Sequence, residues 1–199
     1  SKRTLNEIAI AGDDTIPTAG NATYTCTAIW SYGESTVATP TWSLSSTAYA
    51  SIEEDGKVVN KNTTDVDQTV TLTANYTVGD VTKTTIKVIT LEKRMLMEIV
   101  VNGDETISSG ESATYTCTAI WSYGDSTAAT PTWSLSSTDY ASVDADGNVT
   151  NQNSTDNDQT VTLTATYTSN DVTKIATKVI TLSKRLLMEV VVNGDETIA

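Results

Sequence analysis

The decapeptide YTCTAIWSYG occupies Tyr24–Gly33 and returns unchanged at Tyr115–Gly124, 91 residues further along the chain. When residues 4–94 and 95–185 are aligned without gaps, 62 of the 91 positions are identical. A repeat of this length has the size of a small domain. The 199 residues therefore predict two successive copies of one domain rather than a single large domain.

The repeat extends beyond the two complete copies. Leu186–Ile198 repeats Met95–Ile107 with few changes, and Ser1-Lys2-Arg3 matches the Ser183-Lys184-Arg185 that closes the second copy. We therefore expect residues 1–3 to be the end of a preceding repeat and residues 186–199 to be the first strand of a third. On this interpretation, the chain is a piece of a longer tandem array.

Alternation of side chains around the decapeptide predicts a β-strand over Asn21–Trp30. Small, aromatic and sulfur side chains recur at every second position from Ala22 to Trp30, and Thr23, Thr25 and Thr27 lie between the first four of them. The same alternation marks Val70–Tyr76, while Leu5–Ile10 and Val81–Leu91 are expected to be the first and last strands. About seven short strands per copy, separated by turn residues, predict an all-β fold of tandem immunoglobulin-like β-sandwich domains in a linear array.

Charge and composition exclude several functions. The formal net charge is -13, and such a surface repels nucleic acid and anionic membranes. No apolar run approaches the roughly 18 residues that a membrane-spanning helix needs. Threonine supplies about a fifth of the chain, which suits solvent-facing strand positions. We expect any export signal or anchor to lie outside this sequence.

Catalysis and metal binding have little support in the residue types present. The chain has no histidine, which removes the usual general base and the commonest metal ligand. Cys26 and Cys117 give one cysteine per copy, so no disulfide can form within a copy. Their parity predicts buried thiols, with cross-linking between arrays as the alternative. We expect no enzyme activity and no cofactor.

The pattern as a whole resembles the bacterial immunoglobulin-like domain, group 2, which is repeated in intimin- and invasin-type adhesins. The resemblance rests on a set of short motifs that occur once in each copy. These are Gly20 or Gly110, Tyr32-Gly33 or Tyr123-Gly124, Trp42-Ser43 or Trp133-Ser134, Tyr49–Ile52, Asp55-Gly56 before Val58, and the TVTLTA sequence. The resemblance implies a sandwich without an inter-sheet disulfide, with Trp42 and Trp133 in its core. It also implies a bacterial or phage-related protein at the cell surface or outside the cell.

Aromatic residues near the end of the second strand allow two interpretations. Trp30 and Trp121 fall on the core face and are expected to cap one end of the sandwich. If they instead lined an open face with Tyr32 and Tyr123, they could stack on sugar rings. Exposure of these four side chains therefore separates a structural domain from a polysaccharide-binding module.

Acidic turns are the remaining candidates for a ligand site. Asp144, Asp146 and Asn148 place oxygen atoms at alternate positions, as calcium loops do, although the rest of an EF-hand pattern is missing. Calcium is therefore an alternative to a plain turn. Asp65-Val66-Asp67 and Asp156-Asn157-Asp158 recur in both copies, and they either form plain turns or face a basic pair. Asn-x-Ser/Thr sequons such as those at Asn62 and Asn153 are too frequent in so threonine-rich a chain to be informative.

Basic pairs close each copy. Lys93-Arg94 and Lys184-Arg185 stand where one domain should pass into the next, and the first of these junctions, Val88–Val101, contains no Gly, Pro or Ser spacer. A junction this short predicts a stiff connection, and neighbouring repeats of the same chain are the expected partners. The sequence thus favours a non-catalytic spacer in a surface stalk, adhesin or fibre. A binding module and a self-assembling filament subunit remain as alternatives.

Overall fold

The computed structural model describes residues 3–187, 189, 191 and 193. Each copy contributes ten strands. In the first copy these are β1 (Leu5–Ala11), β2 (Thr15–Ile16), β3 (Asn21–Thr23), β4 (Thr25–Trp30), β5 (Thr36–Ala38), β6 (Thr41–Leu44), β7 (Ala50–Ile52), β8 (Lys57–Asn60), β9 (Gln68–Val78) and β10 (Val81–Leu91). In the second they are β11 (Leu96–Asn102), β12 (Thr106–Ile107), β13 (Ser112–Thr114), β14 (Thr116–Trp121), β15 (Thr127–Ala129), β16 (Thr132–Leu135), β17 (Ala141–Val143), β18 (Asn148–Asn151), β19 (Gln159–Ser169) and β20 (Val172–Leu182).

Three sheets form each copy. In the first copy a three-stranded sheet has the order β1-β4-β5, and a four-stranded sheet has the order β2-β10-β9-β6. A small third sheet has the order β3-β8-β7. All pairings are antiparallel except that of β2 with β10, where Thr15 and Ile16 pair with Thr90 and Leu91. The second copy repeats this topology strand for strand, so the predicted all-β immunoglobulin-like architecture is confirmed.

The core of each copy follows from the period-two pattern of its long strands. Val70, Leu72 and Ala74 on β9 are buried, and the threonines between them are at least partly solvent-accessible. Burial on one side of a strand is what a sandwich requires, because only one face of each sheet can pack on the other. Ile89 and Leu91 of β10 complete this layer, and equivalent residues fill the second copy.

Two details of the strand prediction are wrong. The segment Asn21–Trp30 is not one strand, because it breaks at Tyr24: β3 pairs with β8, whereas β4 pairs with β1. At the break, the Tyr24 backbone N–H donates to the carbonyl of Gly56, so the chain leaves one sheet for another. The number of strands is ten rather than about seven, because several strands of two or three residues carry no readable alternation.

A turn before β3 places one residue in left-handed backbone conformation in each copy. Ala19 has φ of 54°, and Gly110, which occupies the equivalent position, has φ of 73°. Glycine adopts this conformation without steric cost, whereas alanine does not. At this turn the first copy therefore carries backbone strain that the second copy avoids.

The described chain divides into two compact units. One contains Ser1–Met97 together with Trp121–Ser126, and the other contains Glu98–Ile120 together with Thr127–Ala199. The expected end of a preceding repeat, residues 1–3, and the expected first strand of a third, residues 186–199, lie largely outside the described residues. Within the described part of the chain, no helix could cross a membrane.

Candidate functional site

The segment that leaves the first copy, Glu92–Met95, is bonded through its backbone at every residue. The N–H of Glu92 donates to the Ile16 carbonyl at 3.0 Å, and that of Arg94 donates to the Thr64 carbonyl at 3.1 Å. The two remaining N–H groups donate to side chains: Lys93 to Oδ1 of Asp67 and Met95 to Oγ of Ser122, both at 2.9 Å. All of these groups belong to the first compact unit. The segment is therefore a structured element rather than a free linker.

The guanidinium of Arg94 contacts an acid and an aromatic ring at once. Its Nε donates to Oδ1 of Asp65 at 2.9 Å, and its Cζ lies 3.8 Å from the centroid of the Trp121 ring. Only 14% of the Arg94 side chain is exposed. A cation over a ring contributes about 0.5–2 kcal/mol, and an ion pair with a half-exposed partner adds at most about 1 kcal/mol.

The same acid–base pair closes the second copy. Nε of Arg185 donates to Oδ1 of Asp156 at 2.7 Å, while the backbone N–H groups of Lys184 and Arg185 donate to Asp158 and to the Thr155 carbonyl. The hydrogen bond from Arg185, together with its positive charge, lowers the pKa of Asp156. The Arg185 side chain is 60% exposed, so this pair is much more open to water than the pair at Arg94. The recurring acidic turns thus face the basic pairs, as one of the two interpretations expected.

The tryptophans at the end of the second strand are covered rather than open. Cζ of Arg3 lies 4.2 Å from the ring centroid of Trp30, and the Trp30 indole N–H donates to Thr36 at 2.9 Å. Trp30 is half-buried and packs against the core, and Trp121 is only 8% exposed. Tyr32 is the outlier, with 51% of its surface exposed. Tyr123 is half-buried, so the four aromatic side chains form no open row.

Two buried asparagines per copy hold the backbone at the end of the short parallel strand and at the exit of the copy. Nδ2 of Asn60 donates to the carbonyls of Ile16, Pro17 and Glu92 at 3.0–3.1 Å. Nδ2 of Asn62 donates to the carbonyls of Val66 and Leu91, among others. The two residues are linked, because the Asn62 backbone N–H donates to Oδ1 of the Asn60 side chain.

The second copy reproduces this arrangement with Asn151 and Asn153. Nδ2 of Asn151 donates to the carbonyls of Ile107, Ser108 and Ser183, each at 3.0 Å. Sequence reasoning considered Asn62 and Asn153 only as sequons and missed all four residues as a network. The available signal was the Asn-x-Asn pattern that begins at the last residue of a short strand in both copies.

The calcium candidate is a turn that uses its own carboxylate. Oδ1 of Asp144 accepts the backbone N–H groups of Asp146 and Asn148, and Oδ2 accepts the side-chain amide of Asn148. These bonds, led by that of the Asn148 side chain, lower the pKa of Asp144. Across the described residues, no group of three Asp, Glu, Cys or His side chains is arranged to hold a metal ion. Calcium binding at this turn stays an untested prediction.

Both cysteines lie in the sandwich core. Cys26 and Cys117 are buried, and burial raises the pKa of each thiol.

Trp42 and Trp133, expected in the core, are only half-buried and pack against the core from the side. Their incomplete burial follows from the position of β6 and β16 at the edge of the four-stranded sheets. Only one side of an edge strand has a neighbour to cover it.

Comparison with known proteins identifies part of the chain. Residues 112–185 match the family model described as the atrophied bacterial Ig domain. No curated protein matches the chain at a significant level.

Several solved structures are similar at low identity. They include domains 1–6 of the surface layer protein SbsC, with 20% identity and a TM-score of 0.41. That match covers 94% of this chain, which spans 29% of the SbsC chain. Domains 4 and 5 of SbsC match with 20% identity and a TM-score of 0.37, covering 88% of this chain and 97% of that one. The amphioxus IgVJ-C2 molecule matches with 14% identity and a TM-score of 0.34, covering 90% of each chain.

The family match falls in the second copy, which agrees with the first at 62 of 91 positions. The part of the chain that matches the bacterial Ig-like family is therefore residues 112–185 of the second copy.

Proposed function

We propose that this chain is a non-catalytic structural repeat of a surface stalk, adhesin or fibre outside the cell, and that it acts as a stiff spacer. The single observation that carries the proposal is the backbone bonding of Glu92–Met95. A flexible linker leaves its N–H groups to water, whereas here each of the four donates to a protein acceptor. Hydrogen bonds at every backbone N–H reduce the conformational freedom of this segment, which is what we expect of a stiff connection.

The same pattern at the end of the second copy strengthens the proposal. Ser183, Lys184 and Arg185 donate to the counterparts of the acceptors used by Glu92, Lys93 and Arg94. A feature that recurs with each repeat belongs to the repeat and not to one accidental loop. Length in such an array would then grow in equal steps with the number of copies.

The covered aromatic rings support this role over the polysaccharide-binding alternative. A sugar-binding platform needs a flat ring face open to solvent, but an arginine lies over one face of Trp30 and another lies over one face of Trp121. Tyr32 alone is open, and a single exposed ring is a small surface for binding a polymer.

Measurement of distances between spin labels on the two copies tests the spacer role. We expect a narrow distance distribution in the native chain. The double substitution D65A/D67A, which removes the acceptors of Arg94 and Lys93, should broaden it. The matched control is D156A/D158A, which makes the same chemical change after the second copy and should leave the distribution as it is.

The possible distance distributions distinguish the stiff-spacer proposal from its alternatives. A broad distribution in the native chain would overturn the stiff-spacer proposal. Equal broadening by both double variants would show that the effect comes from charge and not from the junction. Circular dichroism of each variant establishes that the sandwiches remain folded.

A further inference from the structure

The outer face of the four-stranded sheet carries no charged side chain. The register of β2, β10, β9 and β6 brings thirteen outward positions onto this face in the first copy, nine of them threonine. The equivalent face of the second copy has ten threonines among its thirteen positions, again without a charge. We call this surface the threonine face. It stands out in a chain whose formal net charge is -13.

Apolar side chains lie exposed within the threonine face. Ile86 is 62% exposed and Val88 is 59% exposed, and their cross-strand partners are Thr73 and Thr71. In the second copy Ile175 and Val179 are exposed in the same way. Together with the methyl groups of the threonines, these side chains give the face an apolar surface, and exposure of such a surface to water is unfavourable.

Several hydroxyl groups of the face are already bonded to one another. Oγ1 of Thr77 and Oγ1 of Thr82 are 2.8 Å apart, and Thr84 donates to Asn75 at 2.6 Å. Thr168 and Thr173 repeat the first of these pairs in the second copy. Burying a hydroxyl costs less when it keeps its partner, so such a face can be covered at lower cost than one with free hydroxyls.

We propose that the threonine face is a lateral contact surface for a second copy of this chain. Two chains of charge -13 repel each other over most of their surface, and they can approach most closely where neither carries a charge. The threonine face meets this condition, and its self-complementary mixture of methyl and paired hydroxyl groups fits an identical face. The inference goes beyond the spacer role, which concerns neighbours along one chain.

The size of the face sets the strength of the contact. The two strands of eleven residues, β9 and β10, span about 37 Å, and the shorter β2 and β6 widen the sheet locally to about 15–19 Å. One pair of faces therefore buries on the order of 1,000 Å² in total, which is at the low end for specific complexes. We expect weak association of short chains, and a much stronger one when many repeats engage together.

Sedimentation velocity over a hundredfold range of protein concentration tests the proposal. We expect reversible association that strengthens with salt, because salt screens the repulsion between chains. The double substitution T73E/T164E puts a charge at the middle of the face in each copy and should weaken association at least tenfold. The matched control T25E/T116E adds the same charge on the outer side of the other sheet, and it should have little effect.

A second variant removes apolar surface without adding charge. The two copies already exchange isoleucine and threonine on this face, since Thr177 occupies the position equivalent to Ile86 and Thr84 that equivalent to Ile175. The fold therefore accepts threonine at both sites, and I86T/I175T should fold normally and associate less. This variant keeps the test valid if T73E/T164E does not fold.

Three results would overturn the proposal. The native chain could remain monomeric over the whole range at high salt. The glutamate variants on the two sheets could weaken association equally. Association could appear only when a polysaccharide is added, which would make the face a carbohydrate-binding surface. None of these results bears on the distance distribution that tests the spacer role, so the two proposals fail separately.

Discussion

The buried amide of Asn60 offers the sharpest test of how the sandwich is held together. Its Nδ2 donates to three backbone carbonyls, and its Oδ1 accepts the Asn62 N–H at 2.8 Å. The substitution N60D keeps the shape of the side chain but replaces its two donor hydrogens with an acceptor. The new carboxylate then points at the carbonyl oxygens of Ile16, Pro17 and Glu92 with nothing to donate.

The expected cost follows from these contacts. Each lost hydrogen bond removes about 1 kcal/mol, and a buried carboxylate facing unpaired acceptors adds a desolvation penalty of several kcal/mol. We expect N60D to lower the free energy of unfolding by at least about 3 kcal/mol at pH 7, against roughly 5–10 kcal/mol for a domain of this size. Burial raises the pKa of the introduced carboxyl above its unfolded value. The loss of unfolding free energy in N60D should therefore grow as the pH rises through about 4, the usual pKa of an unfolded aspartate. It should shrink below that pH.

Urea denaturation combined with peptide-resolved hydrogen exchange measures this effect copy by copy. The control is N75D, which makes the same amide-to-carboxylate change where Oδ1 of Asn75 accepts a hydrogen bond from Thr84 on the outer sheet face. A carboxylate can accept that bond equally well, so N75D should cost less than about 1 kcal/mol. If N60D and N75D differed by less than about 0.5 kcal/mol, the reasoning from the Asn60 network would be refuted.

Three further predictions concern single sites. A19G should raise the unfolding free energy by about 0.5 kcal/mol, because relief of the positive φ outweighs the extra freedom of glycine in the unfolded chain; a measured loss would contradict this. Burial, with nearby Asp13 second, raises the pKa of Tyr24 to about 12 from 10.0, so the fold keeps a proton that the unfolded chain releases. Stability should be intact below pH 10 and fall by roughly 2–3 kcal/mol between pH 10 and 12 in alkaline titrations, and Y24F should flatten that fall. Cys26 and Cys117 should react with a thiol reagent only at the rate of unfolding, and rapid labelling of the native protein would show that they are accessible.

Sequence patterns predicted features that depend on near neighbours or on repetition. The alternation through Cys26 and Ala28 placed both on the core face, because burial on one side of a strand leaves a period of two. The 91-residue repeat drew attention to the acidic turns at Asp65 and Asp156, since a charge kept in both copies has the same surroundings in both. Contact of these turns with the basic pairs was one of two interpretations, and plain turns were the other.

Features that depend on partners distant in the chain could not be predicted from the sequence pattern. The break at Tyr24 arises from a bond to Gly56, 32 residues away, and nothing in the local alternation signals it. Asn60 bonds to carbonyls 32 to 44 residues away, so its role depends on a chain path that only the folded sandwich defines. Trp42 was expected in the core, but its strand lies at a sheet edge. Strand order, unlike strand identity, is not encoded in a local pattern.

The hydrogen bonds of the junction have a consequence for how such a chain can change in length. Each copy carries the acceptors for its own exit, since Asp67 and Thr64 receive the N–H groups of Lys93 and Arg94, and Asp158 and Thr155 do the same after the second copy. Misaligned recombination between gene segments that encode two such copies adds or removes 91 residues and restores an intact exit wherever the crossover falls. An array of this kind can be lengthened or shortened in one genetic step without the need to rebuild a single joint.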